Sequence, residues 1–359
     1  MKKLPAFTSL IFSSVFFLNV LSVHAQQERD GYLLLDDYSY TPQDKGIGTI
    51  VVHRMDATGR ENPRFVLRGP DADKFKIRKG NQLVLRRKYA KSDEKWFDVA
   101  LGTADGQLNA NFRVVKDEFK TNGVIAHRGA WKNTGVPENS IASFLKAVEL
   151  GCEGSEFDVH YTADSVVMLF HDRHKDGLVI EKTTYNELSE KPLSNGETAP
   201  DLQTFFEVAT KQNTTRLVLE IKPSAVSKER GIALTDQIMR QVMEAGVQGW
   251  VDYISFGYDI CQRILQWDPY AKVAYLNGEK APSEVAADGL DGLDYNQKVF
   301  RDKPDWIQQA KDEGLSLNVW TVNNPDDMDW FLKQGFDFIT TDEPELLLKK
   351  ITSGKEPMH

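Results

Sequence analysis

The chain has 359 residues, of which 41% are hydrophobic and 27% charged, and its formal net charge is -9. That length allows two domains, and the apolar share excludes a disordered chain. The negative balance excludes a general binder of nucleic acid or of anionic membranes, since both need a basic surface.

At the start, Met1-Lys2-Lys3 precedes an apolar run from Leu10 to Val20 and then Val23-His24-Ala25. The run is too short to span a bilayer, no stop-transfer pattern follows, and no cysteine sits at the cut that would anchor a lipid. Residues 1–25 are therefore expected to be a secretory signal peptide. The remaining chain is expected to be exported, periplasmic or secreted, with no integral membrane segment.

From Tyr32 to Val115 apolar residues alternate with period two, as in Phe65/Leu67, Phe75/Ile77, Leu83/Leu85, Phe97/Val99/Leu101 and Phe112/Val114. Turn signals such as Gly69-Pro70 and Asp105-Gly106 separate the runs. Six or seven short strands of this kind make a small β-sandwich, assigned to residues 26–116. Its segment GPDADKFKIRKGNQLVL resembles the middle of cadherin-like repeats. Leu85-Arg86-Arg87-Lys88 stands where such repeats carry an acidic calcium ligand, which argues against calcium here. The expected role of the sandwich is packing or positioning.

After a short linker, Lys116 to Asn122, apolar runs followed by helical patterns take over. Val124-Ile125-Ala126 reads as a buried parallel strand that ends in His127-Arg128-Gly129. Pro137-Glu138-Asn139-Ser140 then opens an amphipathic helix through Ile141, Phe144, Leu145 and Val148. In Ser155 to Val159 the period of two puts Glu156 and Asp158 on one face and Phe157 and Val159 on the other. Two carboxylates on one inward face repel, so a positive group is expected between them. A further run, Val166 to Phe170, ends in His171-Asp172. Later candidate strands are Arg216 to Ile221, Val251 to Phe256, Lys272 to Leu276, Leu290 to Tyr295, Leu315 to Val322 and Phe336 to Thr340. The repeated strand-then-helix order predicts a (β/α)8 TIM barrel over residues 123–352, with nine candidate strands for eight places. A doubly wound open sheet is the alternative. The polar residues at successive strand ends suit a barrel mouth better. Cys152 and Cys261, one before a strand and one on a helix, are expected to be two buried thiols.

The ordered set HRG, PEN, E-x-D, HD and EIK, closed by VWTVN and TTDEPELL, resembles the glycerophosphodiester phosphodiesterase family from about Val124 to Leu347. The resemblance implies a phosphoinositide-phospholipase-C-like TIM barrel that hydrolyses small-molecule glycerophosphodiesters to glycerol 3-phosphate and an alcohol. Glu156, Asp158 and Glu220 offer only oxygen, the ligand type for one divalent cation, Mg2+ or Ca2+, and a poor match for zinc or copper. The resemblance implies the same three positions. His127 and His171 are candidates for acid and base, because imidazole can give or take a proton near neutral pH. Arg128 and Lys222 can neutralise phosphate oxygens, or pair with the neighbouring acids. Glu138 favours the helix dipole as a first-turn residue, and the resemblance also places it near the site. Trp320 points either into the barrel or onto the substrate as an apolar wall. His160 shares the inward parity of Glu156 and Asp158 but has no role in the family pattern, and His174 is expected to face solvent. The long connection from Arg173 to Pro200 is expected to be a lid or a substrate wall. Rival readings are a phospholipase acting on intact lipid head groups, disfavoured for want of a membrane-docking segment, and a catalytically silent surface-binding protein. The second would have lost a histidine or a ligand, and none is missing.

Overall fold

The computed structural model describes residues 32–41, 49–55, 63–79 and 81–353. The expected signal peptide at residues 1–25 lies outside them. Among the described residues, the first part of the chain forms eight strands, β1 (Tyr32–Leu35), β2 (Ser39–Tyr40), β3 (Thr49–Met55), β4 (Phe65–Arg68), β5 (Phe75–Arg78), β6 (Gln82–Leu85), β7 (Trp96–Thr103) and β8 (Asn109–Lys116). They make two four-stranded sheets of order β1-β3-β6-β5 and β2-β8-β7-β4. Phe97, Val99 and Leu101 from β7 meet Phe112 and Val114 from β8, Phe75 and Leu83 in one buried core, as the alternation requires. β1 and β2 were not among the alternating pairs, because Tyr32–Leu35 is an unbroken apolar run and β2 has only two residues.

The chain continues through β9 (Val124–Ala126), β10 (Gly154–Tyr161), β11 (Val167–Leu169), the small hairpin β12 (His174–Lys175) and β13 (Leu178–Val179), and β14 (Arg216–Ile221). It ends with β15 (Val251–Ser255), β16 (Val273–Tyr275), β17 (Gly292–Asn296), β18 (Ser316–Trp320) and β19 (Phe338–Thr341). β9, β10 and β14 to β19 pair in parallel, and β19 returns to β9, closing an eight-stranded barrel. The ninth candidate is β11, which runs antiparallel to β10 with Val159 opposite Leu169 and Tyr161 opposite Val167. The cause is the shortness of β9. It pairs with β10 only at Gly154 and Ser155, so the upper half of β10 keeps a free edge, which β11 takes.

Outward residues such as Phe157, Val159, Leu217 and Leu219 pack against the helices, while Ile125, Val218, Ile254 and Leu276 fill the barrel interior with Phe256, Ala274, Trp320 and Phe338. Beneath that apolar layer a cavity of about 380 Å³, lined among others by Val218, Ala274, Asp294, Asn318 and Phe338, opens to the barrel floor. Cys152 and Cys261 are free, buried thiols, as expected.

The sandwich docks on loops that enter the barrel strands from below. Asn213, just before β14, donates to the Lys116 carbonyl at 2.9 Å. Trp250, just before β15, meets Trp96 edge-on at 6.2 Å, and Trp267 faces Tyr32 at 5.9 Å. A Cβ on Gly249 would come within 3.0 Å of the Tyr38 carbonyl, so glycine permits this approach. All these contacts lie at the amino ends of the strands, the end away from the mouth. The Arg173 to Pro200 connection is a packed insert rather than a loose lid. Ile180, Leu188 and Ala199 form a small core with Met168, and Glu181 accepts from the backbone of Ala225 at 2.8 Å.

Candidate active site

The mouth begins where β9 ends. His127 extends the β9 ladder by donating its N–H to the Thr341 carbonyl at 2.9 Å. Arg128 and Gly129 then turn sharply with φ of 56° and 79°. A Cβ at Gly129 would lie 2.4 Å from the Ser143 hydroxyl oxygen, so the third position of HRG needs glycine. Arg128 holds left-handed backbone without that freedom, a strain of roughly 1 kcal/mol. The turn aims the Arg128 N–H at Glu156, whose Oε2 accepts it at 2.7 Å.

Glu156 and Asp158 project inward from β10 as the period of two predicted, and Glu220 joins them from the paired strand β14, where it stands opposite Asp158. All three are buried. A positive group does reach this cluster, but Lys222 bridges Asp158 and Glu220 rather than Glu156 and Asp158, with its Nζ 2.7 Å from Asp158 Oδ1 and 2.6 Å from Glu220 Oε1. Arg128 Nε adds a longer contact of 3.8 Å to Asp158. Burial pushes the Glu156 and Glu220 carboxyls up, helped by the neighbouring acids. Burial also works to raise Asp158, but Lys222 and His171 outweigh it and hold the group low. Burial likewise opposes the charge of Lys222, and the two acids overcome it.

This donor set fits a hard divalent cation. Among the described residues, Glu156, Asp158 and Glu220 offer oxygens all within 4.8 Å of one another, and Glu156 Oε1 is buried with no hydrogen-bond partner. A buried carboxylate oxygen left without a partner is costly.

The two histidines arrive by different routes. His127 ends a barrel strand, and its Nδ1 meets Asp342 Oδ1 at 2.6 Å. Asn323 in turn donates to Asp342 Oδ2 at 2.7 Å. Burial would raise Asp342, but the bond to His127 lowers it. The run before His171, counted above among the candidate barrel strands, is not one of the eight parallel strands. His171 follows antiparallel β11, which descends beside β10 until the Phe170 N–H bonds the Asp158 carbonyl at 3.1 Å. The His171 Nδ1 meets Asp172 Oδ1 at 2.8 Å, and burial lowers its pKa. His160 turns inward as its parity implied and reaches the His171 carbonyl through Nε2 at 3.0 Å. His174 is exposed.

Glu138 does not occupy the first helical turn. Ser140 caps the helix Ile141–Leu150, accepting from the Ser143 N–H and forming a reciprocal capping box with that residue, so Glu138 precedes the helix. Its carboxylate instead takes two bonds from Arg128 Nη1, at 3.0 and 3.1 Å. Trp320 packs in the upper interior, edge-on to Phe256 at 5.5 Å, and its Nε1 donates to the Asp294 carbonyl at 2.9 Å. Trp320 remains partly exposed.

Three contributors escaped the sequence reading. Asp342 and Asn323 sit inside the closing segments already singled out, and a carboxylate at the end of the last strand, beside HRG across the barrel seam, was the available signal. Asn139 has φ of 51°, and its side chain donates to Asp158 Oδ2 at 2.8 Å while accepting the Asp158 N–H at 2.9 Å. It thereby fixes that carboxylate from two sides.

The profile of the Glycerophosphoryl diester phosphodiesterase family matches residues 127–346. A protein named glycerophosphodiester phosphodiesterase from Caldanaerobacter subterraneus subsp. tengcongensis is 29% identical over 245 residues, covering 64% of this chain and 98% of that one. The crystal structure of a glycerophosphodiester phosphodiesterase from Parabacteroides distasonis is 41% identical with a TM-score of 0.64, covering 66% of this chain and all of that one. A phosphodiesterase of Oleispira antarctica, solved in complex with the product sn-glycerol-3-phosphate, is 25% identical with a TM-score of 0.53, covering 64% of this chain and 96% of that one.

Proposed function

As the chain belongs to the glycerophosphoryl diester phosphodiesterase family, we propose that it hydrolyses glycerophosphodiesters to glycerol 3-phosphate and an alcohol, using His127 and His171 as acid and base. The observation that carries this reading is the convergence of both imidazoles, three buried carboxylates, Arg128 and Lys222 at one end of the barrel. One divalent cation, Mg2+ or Ca2+, held by Glu156, Asp158 and Glu220, would supply the positive charge that draws in the phosphate and stabilises its developing negative charge. Arg128, oriented by Glu138, presents a planar fork to phosphate oxygens, and Lys222 adds a point charge. Trp320 and Phe256, both partly exposed, offer an apolar wall to the carbon skeleton.

His127 is the better first base. With Nδ1 held by Asp342, its Nε2 is left for substrate, and the carboxylate stabilises the imidazolium that forms. The nucleophile in this proposal is the substrate's own glycerol hydroxyl next to the phosphate-bearing carbon, since attack within one molecule gains the advantage of proximity. The new P–O bond forms as the bond to the alcohol breaks, His127 takes the hydroxyl proton and His171 gives one to the departing alkoxide. Water then opens the cyclic phosphate with the roles reversed, leaving glycerol 3-phosphate. The test is a substrate analogue lacking the neighbouring hydroxyl. It should resist cleavage, and rapid hydrolysis would eliminate the cyclic route in favour of direct attack by water. A panel of glycerophosphodiesters and intact phospholipids, with and without metal, separates this activity from that of a lipid phosphodiesterase. The apolar run near the N-terminus supports placing the activity outside the cytoplasm, and the docking on the floor supports a positioning role for the sandwich.

A further inference from the structure

We infer that His160 is a positioning residue for His171, fixing the backbone of the histidine that the barrel ladder does not carry. The inference rests on the acid and base reading above. His127 is held twice over, through its N–H to Thr341 and through its ring to Asp342, a side chain only 16% exposed that Asn323 holds in turn. His171 has no equivalent. It follows a three-residue strand, and its ring partner Asp172 is 73% exposed. An exposed pair of that kind fixes little. Placement of the His171 ring must therefore come from its backbone.

Two bonds supply it. The β10–β11 ladder ends at Val159 opposite Leu169, and the Phe170 N–H to the Asp158 carbonyl is its continuation at 3.1 Å. Beyond that point no ladder bond reaches His171, and the His160 side chain stands in for the missing rung at 3.0 Å. A carbonyl can only accept, so Nε2 carries the hydrogen and donates it. His160 is 4% exposed and rises from the same strand and face as Glu156 and Asp158. The metal-ligand carboxylates and the His171 backbone are thereby referred to one rigid element. A loop histidine so tied keeps a set distance from the phosphate that those carboxylates help to place.

The experiment compares full-length His160→Leu, His160→Gln and His171→Ala. Misplacing a reacting group by about 1 Å costs on the order of 10²-fold, so His160→Leu should lower kcat by roughly 10- to 100-fold with KM changed by less than about 3-fold. Divalent-cation binding, read by titration calorimetry, should match the wild type in that variant. A general collapse of the site would weaken it. His160→Gln, whose side-chain amide can donate to the same carbonyl, should recover most of the lost turnover. Should His160→Leu fail to fold, His160→Asn, which stays polar but is too short to reach the carbonyl, carries the same expectation. Wild-type kcat in a folded His160→Leu or His160→Asn, or a His160→Gln as slow as either, overturns the inference. If His171→Ala itself keeps full turnover, the acid and base reading fails instead, so the two failures are distinguishable.

Discussion

Asp294 offers a measurement of what an isolated carboxyl costs inside this barrel. Its side chain is 1% exposed, it lines the floor cavity beside Asn318, and its Oδ1 has no hydrogen-bond partner among the described residues. Burial, against a smaller opposing effect of Asn318, pushes its pKa from 3.8 up to about 7. The folded state therefore holds this proton more tightly than the unfolded state does. Below the unfolded value both states are protonated and the group is neutral in its effect. As pH rises through the window the unfolded chain releases the proton first, so stability falls by about 1.4 kcal/mol per unit and levels off above the folded pKa. The full loss is roughly 4 kcal/mol. Asp294→Asn removes the titration and leaves the shape nearly unchanged. Urea unfolding of both proteins between pH 5 and pH 9 should show the variant gaining on the wild type by about 2 kcal/mol from pH 5 to 7, with the difference flat above about pH 8. Contributions from other groups cancel in that difference. Parallel curves across the whole range would refute the assignment of a costly buried carboxylate to this position.

Chelator should abolish activity and either magnesium or calcium restore it, while Glu220→Gln should weaken cation affinity by at least about 10-fold without altering the far-ultraviolet circular dichroism spectrum. Asp342→Asn should lower kcat by at least about 10²-fold, since the amide cannot stabilise an imidazolium at His127, and an unchanged kcat would remove Asp342 from the site. A chain beginning at Asp117 should keep kcat/KM within about 3-fold of the full protein, because the described residues of the sandwich dock on the floor and contribute no group to the mouth. It should melt earlier, with Trp250 and Trp267 uncovered, and a well-folded but inactive product would place the sandwich in the chemistry.

The sequence disclosed those features whose cause is local. The alternation in Gly154–Tyr161 placed Glu156 and Asp158 inside because side chains alternate whatever surrounds the strand. The strand directions were not disclosed. An apolar run has no polarity, so Val167–Leu169 looked like another barrel strand, and only the length of β9 decides that its neighbour has a free edge. Glu138 was placed one element too late because Pro137 signals a helix start, whereas Ser140 and Ser143 together make the stronger cap. Asp342 is separated from His127 by more than 200 positions, and their contact exists only once β19 closes on β9. Asn139 in the PEN motif looked like a cap residue, and its grip on Asp158 depends on a left-handed backbone that composition does not reveal.

The sandwich and the mouth lie at opposite ends of the barrel axis. Whatever is fastened to the sandwich, whether a surface, a partner or a longer chain, is held on the far side from substrate entry. Among the described residues, the sandwich covers the end of the barrel opposite the opening and leaves the approach to the mouth clear.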